Sequence, residues 1–214
     1  MYHWVRPCPR EINKAFRRSL LLIIGIMMDS PSPEQLLRNI KSPQPAPVHL
    51  WDPPFCGDMD LRIARDGSWI HEGKPIRRLS MIQLFASVLK LEGGDYYLVT
   101  PAEKVRIQVE DCPFVVTEMD LGLSGGQQRL KFSTNTGEVV YAGEEHQLSM
   151  GENPDSGEPH PIVHIRSGLN ALLNRAVFYR LVNHAEHRDV GREQVLGIES
   201  DGVFFQLGDQ PESP

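Results

Sequence analysis

The chain has 214 residues, of which 40% are hydrophobic and 23% are charged. These fractions are close to the average of globular proteins, so composition excludes a disordered, collagenous or coiled-coil chain. The net charge of −6 conceals an asymmetry, because residues 1–28 carry five of the 22 bases and only one of the 28 acids. The rest of the chain therefore has a net charge of −10. Such an acidic body argues against nucleic-acid binding, which requires a basic surface.

The first 28 residues end in a short apolar run, LLLIIGIMM, that follows two arginines. A helix that spans a membrane needs about 20 apolar residues, so no membrane span is predicted. A signal peptide has the same order of basic and apolar residues, but no small-residue cleavage site follows. We therefore interpret residues 1–28 as lying upstream of a true translation start at Met27 or Met28, with a leader peptide as the alternative.

Residues 29–47 are predicted to form an N-terminal helix around Glu34–Ile40 and then an extended, proline-rich linker, KSPQPAP. The cysteine pattern bears on the cellular compartment. Cys8, Cys56 and Cys112 are odd in number and contain no C-x-x-C pair, so neither a disulfide framework nor a zinc knuckle is indicated. This usage predicts a cytoplasmic protein.

The first of two blocks covers residues 48–121. The Asp66-Gly67 pair between apolar runs predicts a hairpin turn. Apolar residues at helical spacing predict a helix over 80–91 that begins with Ser80 as its N-cap. Further strands are predicted at 95–100, 104–111 and 114–121.

The second block covers residues 122–210. Its predicted elements are a hairpin over 129–143, a strand at 161–167, a helix from Gly168 to about His184 and a closing hairpin over 195–208. The order strand, turn, strand, helix, strand thus occurs in both blocks. We predict an α+β fold built from two duplicated, mostly antiparallel sheet units with one helix packed on each.

The heptapeptide LSGGQQR at 123–129 is identical to the signature loop of ABC-type ATPases. That family also requires a G-x-x-x-x-G-K-[ST] phosphate loop in the same chain, and no such loop is present. The stretch also contains a formal G-x-S-x-G pattern, but no helix follows the serine. We therefore interpret Ser124-Gly125-Gly126 as a hairpin turn.

Two pairs of histidines are candidate metal ligands. His160 and His164 are predicted to lie about 13 Å apart on one extended strand, which is too far for a single ion. His184 and His187 lie near the end of the predicted helix, where favourable placement of a cation is the commoner role. No metal site and no cofactor are predicted, because such a pair supplies only two ligands.

Arginines lie where both predicted block helices begin, at Arg77-Arg78 and at Arg166. Arginine beside the exposed amides of a helix N-terminus can hold a phosphate or a carboxylate. We therefore predict an anion-binding cleft where the two blocks meet. Its basic residues would be Arg166, Arg175, Lys104 and Arg106. The alternative is that these cations pair with carboxylates such as Glu103 or Asp111, or face solvent.

Four segments of the chain closely resemble the bacterial domain of unknown function 1285 family. They are WDPPFCGDMDLRIARDGSWIHEGKPIRR (51–78), LFASVLKLEGGDYYLVTPAEKVRIQVED (84–111), TNTGEVV…EEHQL (134–148) and VHIRSGLNALLNRAVFYRLV (163–182). The C-G-x-x-D, D-G-x-W, L-V-T-P-x-E-K and L-N-R-A-V-F-Y motifs in them are long and specific. The resemblance runs from about residue 33 to residue 208, which is nearly the whole body.

The resemblance implies a duplicated α+β fold whose C-terminal half is similar to pleckstrin-homology-like domains. It also implies a pocket between the halves for a nucleotide-like ligand, and a role in signalling. Carried over by motif, the pocket residues are Glu103, Lys104, Arg106, Asn135, His146, Arg166, Asn174 and Arg175. Asp58, Asp66 and Trp69 are expected to be structural, because turn, cap and core roles suffice for them.

We expect a non-catalytic, cytoplasmic module that binds a small anionic or nucleotide-like ligand, with no nucleic acid or membrane as partner. One alternative is an enzyme that uses His146 as general base, with Glu145 or Glu103 nearby. A second alternative is a protein-interaction domain that takes no small ligand.

Overall fold

The computed structural model describes residues 45–153, 156–190 and 193–209. The predicted leader 1–28 and the helix around Glu34–Ile40 lie outside the described residues. The chain divides into two compact units, residues 1–110 (the first unit) and residues 111–214 (the second unit). Among the described residues, none of the helices has the length and apolar character needed to cross a membrane.

The described part of the first unit is built on a six-stranded sheet and one α-helix. In chain order its elements are a 3-10 helix (Val48–Leu50), β1 (Phe55–Ile63), β2 (Trp69–His71), β3 (Lys74–Pro75), α1 (Leu79–Ser87), β4 (Leu89–Glu92), β5 (Asp95–Val99) and β6 (Lys104–Val109). The strands follow the order β3-β2-β1-β6-β5-β4 across the sheet. Strands β1 and β6 are parallel, and the other neighbours are antiparallel.

Local sequence explains the turn between β1 and β2, as predicted. Gly67 has a φ of +81°, a conformation that glycine adopts without steric cost. The carboxylate of Asp66 accepts a hydrogen bond from the Ser68 backbone N–H at 2.9 Å. The core of this unit then forms where Trp69 stacks on Phe85, with ring centroids 6.1 Å apart.

The helix predicted over 80–91 is shorter than expected. It begins at Leu79 with Arg78 as its N-cap, and no side chain caps it, so the predicted Ser80 cap is wrong. Val88 ends the helix and Leu89 opens β4. The apolar residues at helical spacing continue past the end of the helix, because Val88 and Leu89 are fully buried on either side of the junction. The predicted helix was therefore too long.

The described residues of the second unit form a six-stranded sheet, one α-helix and a three-stranded sheet. Its elements are β7 (Phe114–Ser124), β8 (Gln127–Thr134), β9 (Val139–Tyr141), β10 (Leu148–Glu152), β11 (Pro159–Arg166), β12 (Leu169–Leu173), α2 (Arg175–Asn183), β13 (Glu186–Val190), β14 (Glu193–Ser200) and β15 (Val203–Asp209). The larger sheet has the order β10-β11-β12-β7-β8-β9, and β12 and β7 are its parallel pair. The smaller sheet is antiparallel, in the order β13-β14-β15.

The helix predicted from Gly168 to about His184 is wrong in its first third. Residues 169–173 form β12, whose alternate residues Leu169, Ala171 and Leu173 are buried. Only Arg175–Asn183 is helical. Arg166 therefore precedes a β-turn with Ser167 at a φ of +46°, and it does not open a helix.

The two six-stranded sheets have the same topology. Each consists of two three-stranded meanders, and the first strand of the first meander lies parallel to the last strand of the second. The helices differ in position, because α1 connects the meanders of the first unit whereas α2 follows the last strand of the second. The described residues are thus mostly β, with two duplicated mixed sheets and two α-helices. The predicted block boundary at 121–122 falls within β7.

Candidate functional site

The LSGGQQR segment forms a hairpin, as predicted. Strand β7 ends at Ser124 and β8 begins at Gln127. Between them Gly125 and Gly126 have φ values of +61° and +84°. The serine is therefore followed by a turn and a strand, a context that fits neither an ATPase signature loop nor a nucleophile elbow.

In the first unit, the predicted basic site residues pair with carboxylates. Lys104 Nζ lies 2.8 Å from Glu92, and Arg106 Nε lies 2.7 Å from Asp58. The hydrogen bond from Arg106 lowers the pKa of the Asp58 carboxyl, and that from Lys104 lowers the pKa of Glu92. Glu103 is only 2% exposed. An anion that bound to Lys104 or Arg106 would first have to displace a carboxylate.

The same holds for the arginines predicted in the second unit. Arg166 pairs with Glu138 at 3.0 Å, and both side chains are less than a fifth exposed. The Arg166 guanidinium also lies over the ring of Phe114, 5.4 Å from its centroid. Arg175 pairs with Glu158 at 3.0 Å on the surface. Both arginines therefore pair with carboxylates of the body, which is the alternative stated from the sequence.

The two predicted asparagines have structural partners. The Asn135 side chain accepts a hydrogen bond from the Val115 backbone N–H at 3.0 Å, and its own backbone N–H donates to the Val115 carbonyl. Asn174 is the N-cap of α2, because its Oδ1 accepts from the Val177 N–H at 2.8 Å. Both therefore stabilise backbone geometry.

Among the predicted site residues, His146 lies in a polar pocket of the second unit. This His146 pocket has a volume of about 530 Å³. Six polar side chains line it, and they are Arg129, Tyr141, Glu144, Glu145, His146 and Asp201. Sequence reasoning found His146 and Glu145 but missed the others, because Asp201 was explained by its turn and Arg129 by the LSGGQQR hairpin.

Hydrogen bonds to backbone carbonyls orient the rings of the two histidines of this region and select the tautomer of the neutral ring. Nδ1 of His146 lies 3.0 Å from the His164 carbonyl oxygen, so in the neutral ring it carries the proton and Nε2 is the acceptor. Nδ1 of His164 lies 2.9 Å from the Glu145 carbonyl, and its Nε2 accepts from the Gly168 N–H at 3.2 Å. The two rings stack with centroids 6.3 Å apart. His146 therefore presents an oriented ring whose Nε2 has no hydrogen-bond partner within the described residues.

One cation and three carboxylates determine the charge of the His146 pocket. The guanidinium of Arg129 lies 4.3 Å from the ring centroid of Tyr141, and its Nε is 3.4 Å from Asp201. Glu144 and Glu145 are exposed at the rim. With both carboxylates of the rim ionised and His146 neutral, the lining has a net charge of −2. The pocket thus favours ligands with several hydrogen-bond donors and little negative charge.

Two other cavities of the described residues lack an oriented base of this kind. One of about 680 Å³ lies between β10 and β15 and has no histidine in its lining. The other, of about 390 Å³ in the first unit, contains the paired Arg106 and Asp58.

The second unit also brings together Asp111, Cys112 and His160. One ligand atom from each lies within 4.8 Å of the other two, and His160 Nε2 is 2.8 Å from Asp111 Oδ1. Burial, reinforced by the negative charge of Asp111, raises the pKa of the Cys112 thiol to about 12. Sequence reasoning missed this cluster because His160 is 49 residues from Asp111. Of the histidines predicted to lie near one helix end, His184 is the C-cap of α2 and His187 lies on β13.

Comparisons with known proteins connect the chain to one group. The N-terminal domain described as a domain of unknown function, DUF1285, matches residues 46–112. The C-terminal domain of the same group, described as a protein of unknown function, matches residues 113–207. No curated protein matches the chain.

Two crystal structures are similar to the chain. A DUF1285 family protein from Silicibacter pomeroyi is 48% identical, with a TM-score of 0.73, over 81% of this chain and 92% of that one. A DUF1285 family protein from Shewanella baltica is 29% identical, with a TM-score of 0.47, over 58% of this chain and 91% of that one.

Proposed function

The chain belongs to the DUF1285 family, whose function is unknown, and from that premise we propose that it is a non-catalytic binding module that takes a small ligand in the His146 pocket. The observation that carries the proposal is the oriented imidazole. Its Nδ1 is engaged by a backbone carbonyl, so Nε2 is available as a hydrogen-bond acceptor for a ligand. A few such polar groups placed in a concave site are what small-molecule pockets use for specificity.

The remaining side chains of the pocket define the ligand class. Arg129 provides one site for a phosphate or carboxylate, since its contact with Asp201 is long at 3.4 Å. Glu144 and Glu145 accept hydrogen bonds from hydroxyl or amino groups. The excess of carboxylates disfavours a polyanion such as a nucleoside triphosphate. We therefore expect a nucleotide-like molecule with a single phosphate and several donors.

A role in signalling and a cytoplasmic location are part of this proposal. The second unit has two meanders followed by a helix, which supports the likeness to pleckstrin-homology-like domains that the family resemblance implies. The acidic composition of residues 29–214, with a net charge of −10, supports the expectation that nucleic acid is not a partner.

Calorimetry on the full chain tests the ligand class. Adenosine 5′-monophosphate should bind more tightly than either adenosine or inorganic phosphate, because only the monophosphate satisfies both Arg129 and His146. Loss of one hydrogen bond to a charged or polar group changes affinity by roughly tenfold. His146→Ala should therefore weaken binding of the monophosphate by roughly tenfold.

A matched pair of arginines provides the control. Arg188 resembles Arg129, since it pairs with Glu199 at 2.6 Å and lies 4.2 Å from the ring centroid of Phe204, but it is outside the His146 pocket. Arg129→Gln should abolish the preference for the monophosphate over adenosine, and Arg188→Gln should retain it. Equal affinities in wild type, His146→Ala and Arg129→Gln would reject this pocket as the site.

One observation favours an enzyme as the second candidate. An imidazole with its proton fixed on Nδ1 is suited to accept a proton at Nε2, as a general base does. In that case, product would accumulate with a bound ligand, and His146→Gln would abolish turnover while binding survived. Saturable binding without product in wild type supports the binding module.

A further inference from the structure

We propose that Asp111, Cys112 and His160 bind one divalent transition-metal ion of zinc type, a site separate from the His146 pocket. The three side chains offer a carboxylate, a thiol and an imidazole whose ligand atoms already lie within 4.8 Å of one another. Within the described residues, it is the one cluster in which three or more side chains of metal-ligand type lie within that distance.

The donor set selects the class of metal. Zinc in proteins is bound by thiolate, imidazole and carboxylate, usually with four ligands in a tetrahedron. Magnesium and calcium prefer oxygen ligands only, so the cysteine and histidine disfavour them. Three protein ligands leave the fourth position for a water molecule.

The distances fit such an ion after a small adjustment. In a tetrahedral zinc site, neighbouring ligand atoms lie about 3.3–3.6 Å apart. His160 Nε2 and Asp111 Oδ1 are closer than that, at 2.8 Å, because a proton now joins them. An ion that replaced this proton would separate the two atoms by about 0.5 Å and draw the sulfur inward.

Burial shields the cluster from competing solvent. Cys112 is 7% exposed, and the side chains of Asp111 and His160 are 11% and 22% exposed. The remaining access lies on the side of the imidazole and the carboxylate, where a metal ion and its water could enter. Because the unfolded chain does not hold these three side chains together, an ion bound here would stabilise the fold.

The protons balance when the ion binds. The thiol of Cys112 loses its proton to solvent and becomes the thiolate ligand. The proton between His160 and Asp111 moves to Nδ1 of the neutral imidazole, so Nε2 becomes a ligand and the carboxylate becomes a second one. One proton is therefore released for each ion bound when the histidine begins neutral. The ion would link two parts of the second unit, the segment that precedes β7 and strand β11.

Cobalt(II) added to the metal-free full chain under reducing conditions is the direct test. A thiolate-to-cobalt charge-transfer band should appear and saturate at one ion per chain, and zinc should remove it by displacement. Cys112→Ser should abolish the band. Cys56→Ser, which removes the other cysteine of the described residues, should retain it. A band that survives Cys112→Ser, or that disappears in Cys56→Ser, would overturn the assignment, and so would the absence of any band in wild type.

Histidine variants and a measurement on the wild type make the test independent of folding. His160→Gln should weaken zinc at least tenfold, whereas His187→Gln on β13 should leave zinc affinity unchanged. X-ray absorption of the zinc-loaded wild type should show one sulfur and otherwise nitrogen or oxygen neighbours. Two or more sulfurs would exclude this ligand set. Because none of these residues lines the His146 pocket, failure here leaves the monophosphate experiment unaffected.

Discussion

The first and second units use one sheet topology for different purposes. In the first unit the connection between the two meanders is helix α1, which buries Phe85 against Trp69. In the second unit the same connection is the segment 142–147, which carries Glu144, Glu145 and His146 into the pocket. A connection that packs a helix in one copy therefore presents polar side chains in the other.

The second unit can present those side chains because another element supports the segment. The buried hydroxyl of Ser200, at the end of β14, accepts from the Leu130 backbone N–H at 2.9 Å and donates to the Ala142 carbonyl at 2.7 Å. The terminal hairpin thereby ties β8 to the start of segment 142–147. The terminal hairpin therefore supports the connection in the second unit, at the position where the first unit has helix α1.

The largest expected effect comes from removing a core aromatic ring in either unit. Trp69→Ala should cost about 3–5 kcal/mol of stability, because the ring is 1% exposed and stacks on Phe85. Phe132→Ala, at a residue that is 0% exposed, should have a similar cost in the second unit. Hydrogen exchange should accelerate within the unit that carries the substitution. Equal acceleration in both units would show that they unfold as one.

The loss of stability on breaking an ion pair should differ more strongly between the two units. Arg166→Ala leaves Glu138 without its guanidinium in a mostly buried position, so we expect a loss of about 3 kcal/mol in urea unfolding. The double variant Arg166→Ala/Glu138→Ala should be less destabilised than Arg166→Ala. Arg106→Ala in the first unit breaks a solvent-exposed ion pair and should change the midpoint of urea unfolding little. Similar losses for Arg166→Ala and Arg106→Ala would contradict this distinction.

Removing the hydroxyl of Ser200 tests whether the terminal hairpin supports the pocket. Ser200→Ala leaves a buried N–H and a buried carbonyl without one partner each, at a cost of about 1–3 kcal/mol. Exchange of amides in segment 142–147 should increase, as measured by mass spectrometry. Ser149→Ala, at an exposed position on β10, is the control and should have no such effect. Unchanged exchange in Ser200→Ala would mean that the hairpin does not support the segment.

The smallest expected effect is acid destabilisation of the first unit. Hydrogen bonds lower the pKa of four of its carboxyls below their usual values of 3.8 for Asp and 4.5 for Glu. They are Asp58 (from Arg106), Asp66 (from the Ser68 backbone), Glu92 (from Lys104) and Glu110 (from the Arg65 backbone). A lowered pKa in the folded state contributes stability that is present above the unfolded value and is lost as pH falls through the folded one.

Urea unfolding at a series of pH values checks this expectation. Stability should decline as pH falls below about 4.5, and Asp66→Asn should reduce the slope because it removes one of the four groups. Asp60→Asn, on the same strand as Asp58, is the matched control, since the Asp60 side chain is exposed and no ion pair of its carboxylate is observed within the described residues. A slope unchanged by Asp66→Asn, or reduced equally by Asp60→Asn, would contradict the assignment.

Local features of the fold could be predicted where a few neighbouring residues decide the outcome. The turns at Asp66-Gly67, Gly125-Gly126 and Asp201-Gly202 all form, because each contains glycine at a positive φ. The prediction of a hairpin turn at Ser124-Gly125-Gly126 used the same kind of local pattern. The junctions at Val88 and Gly168 could not be predicted, since a fully buried strand and a buried helix face share an apolar composition.

The candidate site was harder to predict than the turns. His146 was predicted to line a pocket between the two blocks, and it lines a pocket of the second unit, whereas Arg129 and Asp201 were assigned to turns and overlooked. Lys104, Arg106, Arg166 and Arg175 were selected for their charge, and each has a carboxylate partner. Charge in a sequence shows that a cation is available, whereas only the fold shows which anion neutralises it.

By itself the sequence determined the two-block organisation, the acidic body, most of the strands and the tight turns, because these depend on composition and on neighbouring residues. The tertiary structure alone decided the shared sheet topology, the Arg166–Glu138 pair and the meeting of Asp111 with His160. These features join residues that lie 28 and 49 positions apart. Such contacts depend on strand order and register, which no local pattern specifies.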